Sequence, residues 1–147
     1  MNALITARNL TVDFGADPVV RGIDFTLQAG HCLALVGESG SGKSVTARSL
    51  LGLSGGSVRA DALSVCGRDV LDLGDRDWQQ LRGTQVTMIL QDALTALDPL
   101  RPIGREIGDA LKEHTRLSRT ERTTRVQQLL REVGMPDPAR RNNQPTT

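Results

Sequence analysis

Gly37, Glu38, Ser39, Gly40, Ser41, Gly42, Lys43 and Ser44 fit the phosphate-binding pattern GxxxxGK[ST] at every fixed position. Each fixed residue has a mechanical reason to be there. Glycines let the backbone curl until several N–H groups face inward at phosphate oxygens, and the lysine adds a point charge for the β- and γ-phosphates. The Ser44 hydroxyl is placed for Mg²⁺. Val45 follows where many such loops carry a second hydroxyl residue, so contact with an α-phosphate falls to its backbone alone. The pattern implies a bound nucleoside triphosphate. The plainer reading, a flexible Gly/Ser turn, does not explain why every fixed position matches between a strand-like and a helix-like segment.

The neighbouring segments supply that frame. Residues 32–36 are an apolar run of buried-strand type and residues 44–53 read as a helix, so strand, loop and helix N-terminus follow in the order that aims a helix dipole at an anion. Upstream, residues 4–14 and 22–27 read as strands joined across the turn Gly15-Ala16-Asp17-Pro18. This predicts an antiparallel hairpin beside a parallel core. Phe14 lies in that hairpin, either as a stacking partner for a purine base or as a hairpin core residue. Downstream, Leu53-Ser54-Gly55-Gly56 closes the first helix, residues 57–65 return as strand, Cys66-Gly67-Arg68 turns the chain, and residues 75–81 suit a short helix. A second buried-strand run, residues 86–90, ends at Gln91 and Asp92. Beyond Pro102 the spacing of Ile103, Ile107 and Leu111 predicts a helix. A capping box from Ser118 to Glu121 starts another, which stops at Gly134-Met135-Pro136. Residues 137–147 are polar and without period.

Composition narrows the function classes. With 147 residues and 38% hydrophobic content the chain is globular and long enough for a core. A formal net charge of +1 gives no basic field, and Phe14, Phe25 and Trp78 are too few aromatics for base-stacking platforms, so nucleic acid is not an expected partner. Cys32 and Cys66 have no metal-site spacing and read as reduced thiols. No apolar run approaches the ~20 residues of a membrane span. Arg8 and Asn9 interrupt the place of a signal peptide's apolar segment, which predicts a cytosolic chain.

Together the loop at residues 37–44, the run MILQDALTALDPL at 88–100 and VGMPDPARR at 133–141 resemble the ATP-binding subunits of ATP-binding-cassette (ABC) importers, in the dipeptide, oligopeptide and nickel branch. The resemblance spans about residues 4–141 and implies an α/β phosphate-loop NTPase core with an antiparallel β subdomain, followed by the start of a helical subdomain. Its domain reading is 1–92 for the core, 93–136 for the helical part and 137–147 for a polar tail. By resemblance, ATP and Mg²⁺ are the cofactors. Residues 37–45 and the stacking Phe14 bind nucleotide, Lys43 and Gln91 serve catalysis, and Ser44 and Gln91 reach the metal. The implied partners are transmembrane permease subunits and a second ATPase subunit, at the cytoplasmic face of the membrane. Ala93 stands where the family usually has proline, and Asp98 where asparagine is common.

Three family features have no counterpart in these 147 residues: an LSGGQ-type signature after the helical subdomain, an apolar run ending in Asp-Glu, and a switch histidine. Leu53-Ser54-Gly55-Gly56 has a signature's letters but directly follows the phosphate-loop helix. Likewise Thr95-Ala96-Leu97-Asp98 mimics the loop after an Asp-Glu pair that is not there. His31 and His114 read as surface or capping residues. The resulting expectation is the N-terminal part of an importer ATPase subunit. The alternatives are a truncated nucleotide-binding fragment without turnover, or a compact phosphotransferase using residues 86–92 as a degenerate metal-binding strand.

Overall fold

The computed structural model describes residues 3–15, 17–90 and 97–145. They divide into two compact units, Met1–Thr87 and Met88–Thr147.

The first unit is organised around β1 (Ala3–Asp13) and β2 (Val20–Gln28), which pair antiparallel as the turn chemistry predicts. Ala7, Leu10 and Val12 of β1 are all buried, although an uninterrupted strand would put residues 7 and 10 on opposite faces. A bulge reconciles them. The register with β2 shifts between Ala7 and Leu10, where Asn9 adopts φ 51° and its N–H donates to Asp24 Oδ1 at 3.0 Å. The extra residue returns Leu10 and Val12 to the core face. Segment 57–65 forms two strands, β3 (Ser57–Arg59) and β4 (Ala62–Val65), both antiparallel to β1. β4 continues through a two-residue turn to β5 (Arg68–Asp69). Cys66 and Gly67 there both have positive φ, the backbone twist a tight hairpin favours. The sheet order is β2-β1-β4-β5, with β3 also on β1.

Two helices flank the sheet in sequence: α1 (Lys43–Ser49) and α2 (Asp75–Leu81). α1 is shorter than residues 44–53 because Gly52 takes φ +65° and turns the chain. A Cβ on Gly52 would lie 2.5 Å from the Trp78 ring, so the glycine lets α2 lay its tryptophan down. Trp78 and Leu81 join Leu10, Val12, Leu63 and Val65 in the core. Burying each such side chain contributes roughly 1.5–3 kcal/mol.

The two apolar runs do not form strands. Residues 33–36 are irregular and exposed, and residues 86–90 contribute only an isolated bridge from Val86 to Arg82. The parallel core expected from them is therefore not built among the described residues. A strand that is apolar on both faces holds its shape only when neighbours pair with both its edges, and no described strand pairs with either run.

The second unit is helical: α3 (Ile103–His114), α4 (Arg119–Glu132) and α5 (Pro138–Arg141). Ser118 caps α4 with the full reciprocal box: its Oγ accepts from the Glu121 N–H at 3.3 Å, and its own N–H donates to Glu121 Oε2 at 2.7 Å. These bonds, first the side chain's and then the backbone's, hold the Glu121 carboxyl below the ordinary carboxylate range. Val126 and Leu130 are the buried face of α4. The segment expected to be a tail instead carries α5. Just beyond it, Asn142 and Gln144 carbonyls accept from the Gly104 and Ile103 N–H groups, satisfying the first turn of α3. Arg101, before α3, pairs with Glu106 and Asp109, which raises its pKa further above an already high value.

Candidate phosphate-binding site

The loop at residues 37–42 keeps the curl that its glycines predict. Gly37, Gly40 and Gly42 have φ of 155°, 82° and 87°, conformations that side chains rarely tolerate. At Gly42 space excludes a side chain as well, and at Gly37 one would have to displace the Ser41 hydroxyl. A Cβ on Gly37 would lie 2.7 Å from Ser41 Oγ, and one on Gly42 would lie 2.9 Å from the Val19 carbonyl oxygen. The Ser41 N–H donates to Glu38 O at 3.2 Å and closes the turn, and Thr46 N–H donates to Gly42 O at 2.8 Å as α1 begins.

Lys43 folds back over this curl. Its Nζ donates to Gly37 O at 2.8 Å, to Glu38 O at 2.6 Å and to Ser41 Oγ at 3.3 Å. The loop thus holds its own cation. At the same end, Gly42 is the N-cap of α1 without a side-chain hydrogen bond, and no acidic residue occupies the first turn. The positive end of the helix and the orphan N–H groups of its first turn are left for an anion. A nucleotide's phosphates fit this arrangement: glycines where a Cβ would intrude, a cation at the loop and first-turn donors with no partner among the described residues.

Ser44 is exposed on the first turn of α1, free of the core. Val45 is half-buried and packs against the sheet core, which explains an apolar residue after Ser44: its side chain serves the fold, and only its backbone faces the loop's business. Thr46 and Ser49 are buried, with Ser49 Oγ donating to Thr46 O at 2.7 Å.

Phe14 is tied to the loop through the hairpin. Val19 N–H donates to Val12 O at 2.9 Å, and Val19 and Val20 are the residues that crowd Gly42. The Phe14 ring is half-exposed and lies over Gly55 and Gly56, where a Cβ on Gly56 would come within 3.0 Å of the ring edge. Sequence reasoning did not foresee this pairing of Phe14 with Gly56; the GG step after the helix was its only signal. Residues 53–56 are accordingly a turn, with Ser54 Oγ donating to Gly56 O at 3.2 Å.

Gln91, Asp92, Ala93, Thr95 and Ala96 lie outside the described residues. Asp98 caps a turn, its Oδ1 accepting from Leu100 N–H at 2.9 Å. His31 is exposed with Nδ1 3.1 Å from Ala29 O, and His114 is in the last turn of α3. Cys32 is exposed and Cys66 is half-buried, both free thiols. Among the described residues no group of His, Cys, Asp or Glu has metal-holding geometry, and no helix is long and apolar enough to cross a membrane.

Comparison with known proteins adds to this geometry. Residues 20–147 match the sequence profile of the family described as "ABC transporter". The "Dipeptide transport ATP-binding protein DppD" of Lactococcus lactis subsp. cremoris (strain MG1363) is 39% identical over 141 residues, 91% of this chain and 40% of that protein. The "Oligopeptide transport ATP-binding protein OppD" of Bacillus subtilis (strain 168) is 35% identical over 148 residues, 96% of this chain and 41% of that one. The chain spans about two fifths of the length of these relatives. A solved structure, "Dimeric Structure of MJ0796, a Bacterial ABC Transporter Cassette", superposes with a TM-score of 0.79 over 96% of this chain and 61% of its own, at 20% identity, which speaks for the fold.

Proposed function

The chain belongs to the ABC transporter family, and from that premise we propose that it is ATP-binding sequence of a peptide importer, with ATP and Mg²⁺ held by residues 37–45. Nucleotide binding is what the family implies. The observation that carries the assignment to these residues is the loop that sequesters Lys43 Nζ while its glycines and the first turn of α1 leave donors open.

Bound ATP and Mg²⁺ supply the transferable phosphoryl group and the charge neutralisation. The chain's own contribution is position and electrostatics, which dominate phosphoryl transfer. Lys43 would exchange its carbonyl partners for phosphate oxygens, a charge-assisted substitution that favours the anion. Backbone N–H groups of the loop and of Val45 would orient the phosphates, and the Ser44 hydroxyl would help hold the metal. Phe14 offers its exposed face to the base, and Gln91 takes the water-positioning role. Permease subunits, a second ATPase subunit and the cytoplasmic membrane face are the setting this function requires, and peptides fit the relatives' names.

A second reading applies to the 147 residues by themselves: binding without turnover. It is favoured by their containing no apolar run that ends in Asp-Glu. Titration with a fluorescent ATP analogue tests the site. Wild type binds in the presence of Mg²⁺ and Lys43→Ala does not, while Phe14→Ala weakens binding by about 1 kcal/mol through lost stacking. Equal binding by wild type and Lys43→Ala refutes the assignment.

A further inference from the structure

The helical unit holds a cavity of about 510 Å³ between α3, α4 and the segment after α5, and the charged side chains in its walls are four cations and one carboxylate among otherwise neutral residues. Arg105 and Lys112 project from α3, Arg119 and Arg122 from α4. One carboxylate, Asp109, also lines it, but that group is already paired with Arg101. Arg122 donates through Nη1 to Leu117 O at 2.9 Å. Among the described residues no carboxylate lies within ion-pair distance of Arg105, Lys112 or Arg119, whereas Arg125, outside the cavity, has Glu132 at 3.0 Å.

The wall also contains a glycine that packing does not explain. Gly104 is required by its neighbour, because a Cβ there would collide with the Asn142 side chain. Gly108, one turn on, is in the middle of α3 and has nothing within 4 Å of where its Cβ would be. A mid-helix glycine costs the helix about 0.5–1 kcal/mol relative to alanine, and here the space over it belongs to the cavity.

We propose that this cavity is a docking site for an acidic peptide segment of a partner protein, with carboxylates reaching Arg105 and Lys112 on one wall and Arg119 and Arg122 on the other. The volume suits a few side chains, within the usual range of pockets for compact ligands. Charge complementarity selects acidic groups, and guanidinium forks match carboxylates in pairs. Nucleic acid fits poorly, since residues 88–147 contain no Phe, Tyr or Trp on which a base could stack. The proposal uses none of residues 37–45 and does not depend on their assignment.

Fluorescence anisotropy of labelled hexaglutamate with the 147-residue chain, at about 50 mM salt to limit screening, tests the proposal. The double variant Arg105→Gln/Arg119→Gln is expected to weaken binding about tenfold or more. Gly108→Leu, which fills the space while improving helix propensity, is expected to weaken it comparably; circular dichroism verifies that α3 persists. The control Arg116→Gln/Arg131→Gln removes two exposed cations outside the cavity and should change the affinity by less than about twofold. Equal affinity of wild type and the cavity variants overturns the proposal, as does equal weakening by the control. Tighter binding of a six-nucleotide single-stranded DNA, or full displacement of the peptide by equimolar pyrophosphate, overturns it in favour of a nucleic acid or a small anion.

Discussion

Replacing Gly42 by alanine tests whether the loop's shape is dictated by sterics, with Gly40→Ala as an internal control. Both glycines sit at similar left-handed φ, 87° and 82°. An alanine there bears a backbone cost of about 1 kcal/mol in either place. They differ in surroundings. At Gly40 nothing lies within 4 Å of the added methyl, whereas at Gly42 it would be 2.9 Å from Val19 O and 3.1 Å from Val20 Cγ2. Val20 is buried and β2 is paired to β1 along its length, so neither neighbour yields cheaply. Overpacking of that kind costs about 1–3 kcal/mol. The expected losses are therefore about 1 kcal/mol for Gly40→Ala and about 2–4 kcal/mol for Gly42→Ala, the sum of the two effects. Urea unfolding followed by the fluorescence of Trp78 reads them directly. It is the sole tryptophan, 8% exposed, and belongs to the same unit as the loop. Equal losses at the two positions, or a larger one at Gly40, would refute the steric account.

The isolated 147 residues should show no ATP hydrolysis above background in a phosphate-release assay; turnover that Lys43→Ala removes would favour the compact phosphotransferase. Ser118→Ala should cost α4 about 1 kcal/mol at neutral pH by removing its cap. Because the Glu121 carboxyl is held below its unfolded value of about 4.3, its stabilising contact is complete above that pH and is lost as pH falls through the lowered value. Circular dichroism should accordingly show the gap between wild type and Ser118→Ala shrinking between pH 7 and pH 3; a gap independent of pH would contradict it. The chain alone should self-associate at tens of micromolar in size-exclusion chromatography, and a monomer with a cooperative thermal transition would count against that expectation.

The loop's curl was legible in the sequence because it is local. Gly37, Gly42, Lys43 and Ser44 lie within seven positions of one another, so the spacing alone carries most of the loop's geometry. The hairpin was legible from β-branched content and its turn, as was α4 from its capping box. Long-range fits were not. The Asn9 bulge depends on Asp24, the seat of Phe14 depends on Gly56, and α3 is completed by carbonyls 38 to 41 residues further on, at Asn142 and Gln144. No periodicity encodes such pairings, which is also why residues 137–147 read as a plain tail.

The two apolar runs show the same limit from the other side. Leu33, Leu35 and Val36, and likewise Ile89 and Leu90, have the composition of buried strands, yet all five are exposed. Composition states what environment a segment needs, whereas pairing decides whether it obtains it. Unlike β1, whose bulge and alternating pattern give it a core face and a solvent face from local information, a strand apolar on both faces has no structure of its own without neighbours. Exposed and without a strand partner among the described residues, residues 33–36 and 89–90 offer backbone N–H and C=O groups beside apolar side chains, the combination that drives strand addition between chains. The phosphate loop follows directly on the first of these runs. Its curl therefore rests on what lies behind and after it, the Val19–Val20 corner against Gly42 and the core contact of Val45, rather than on the strand ahead of it.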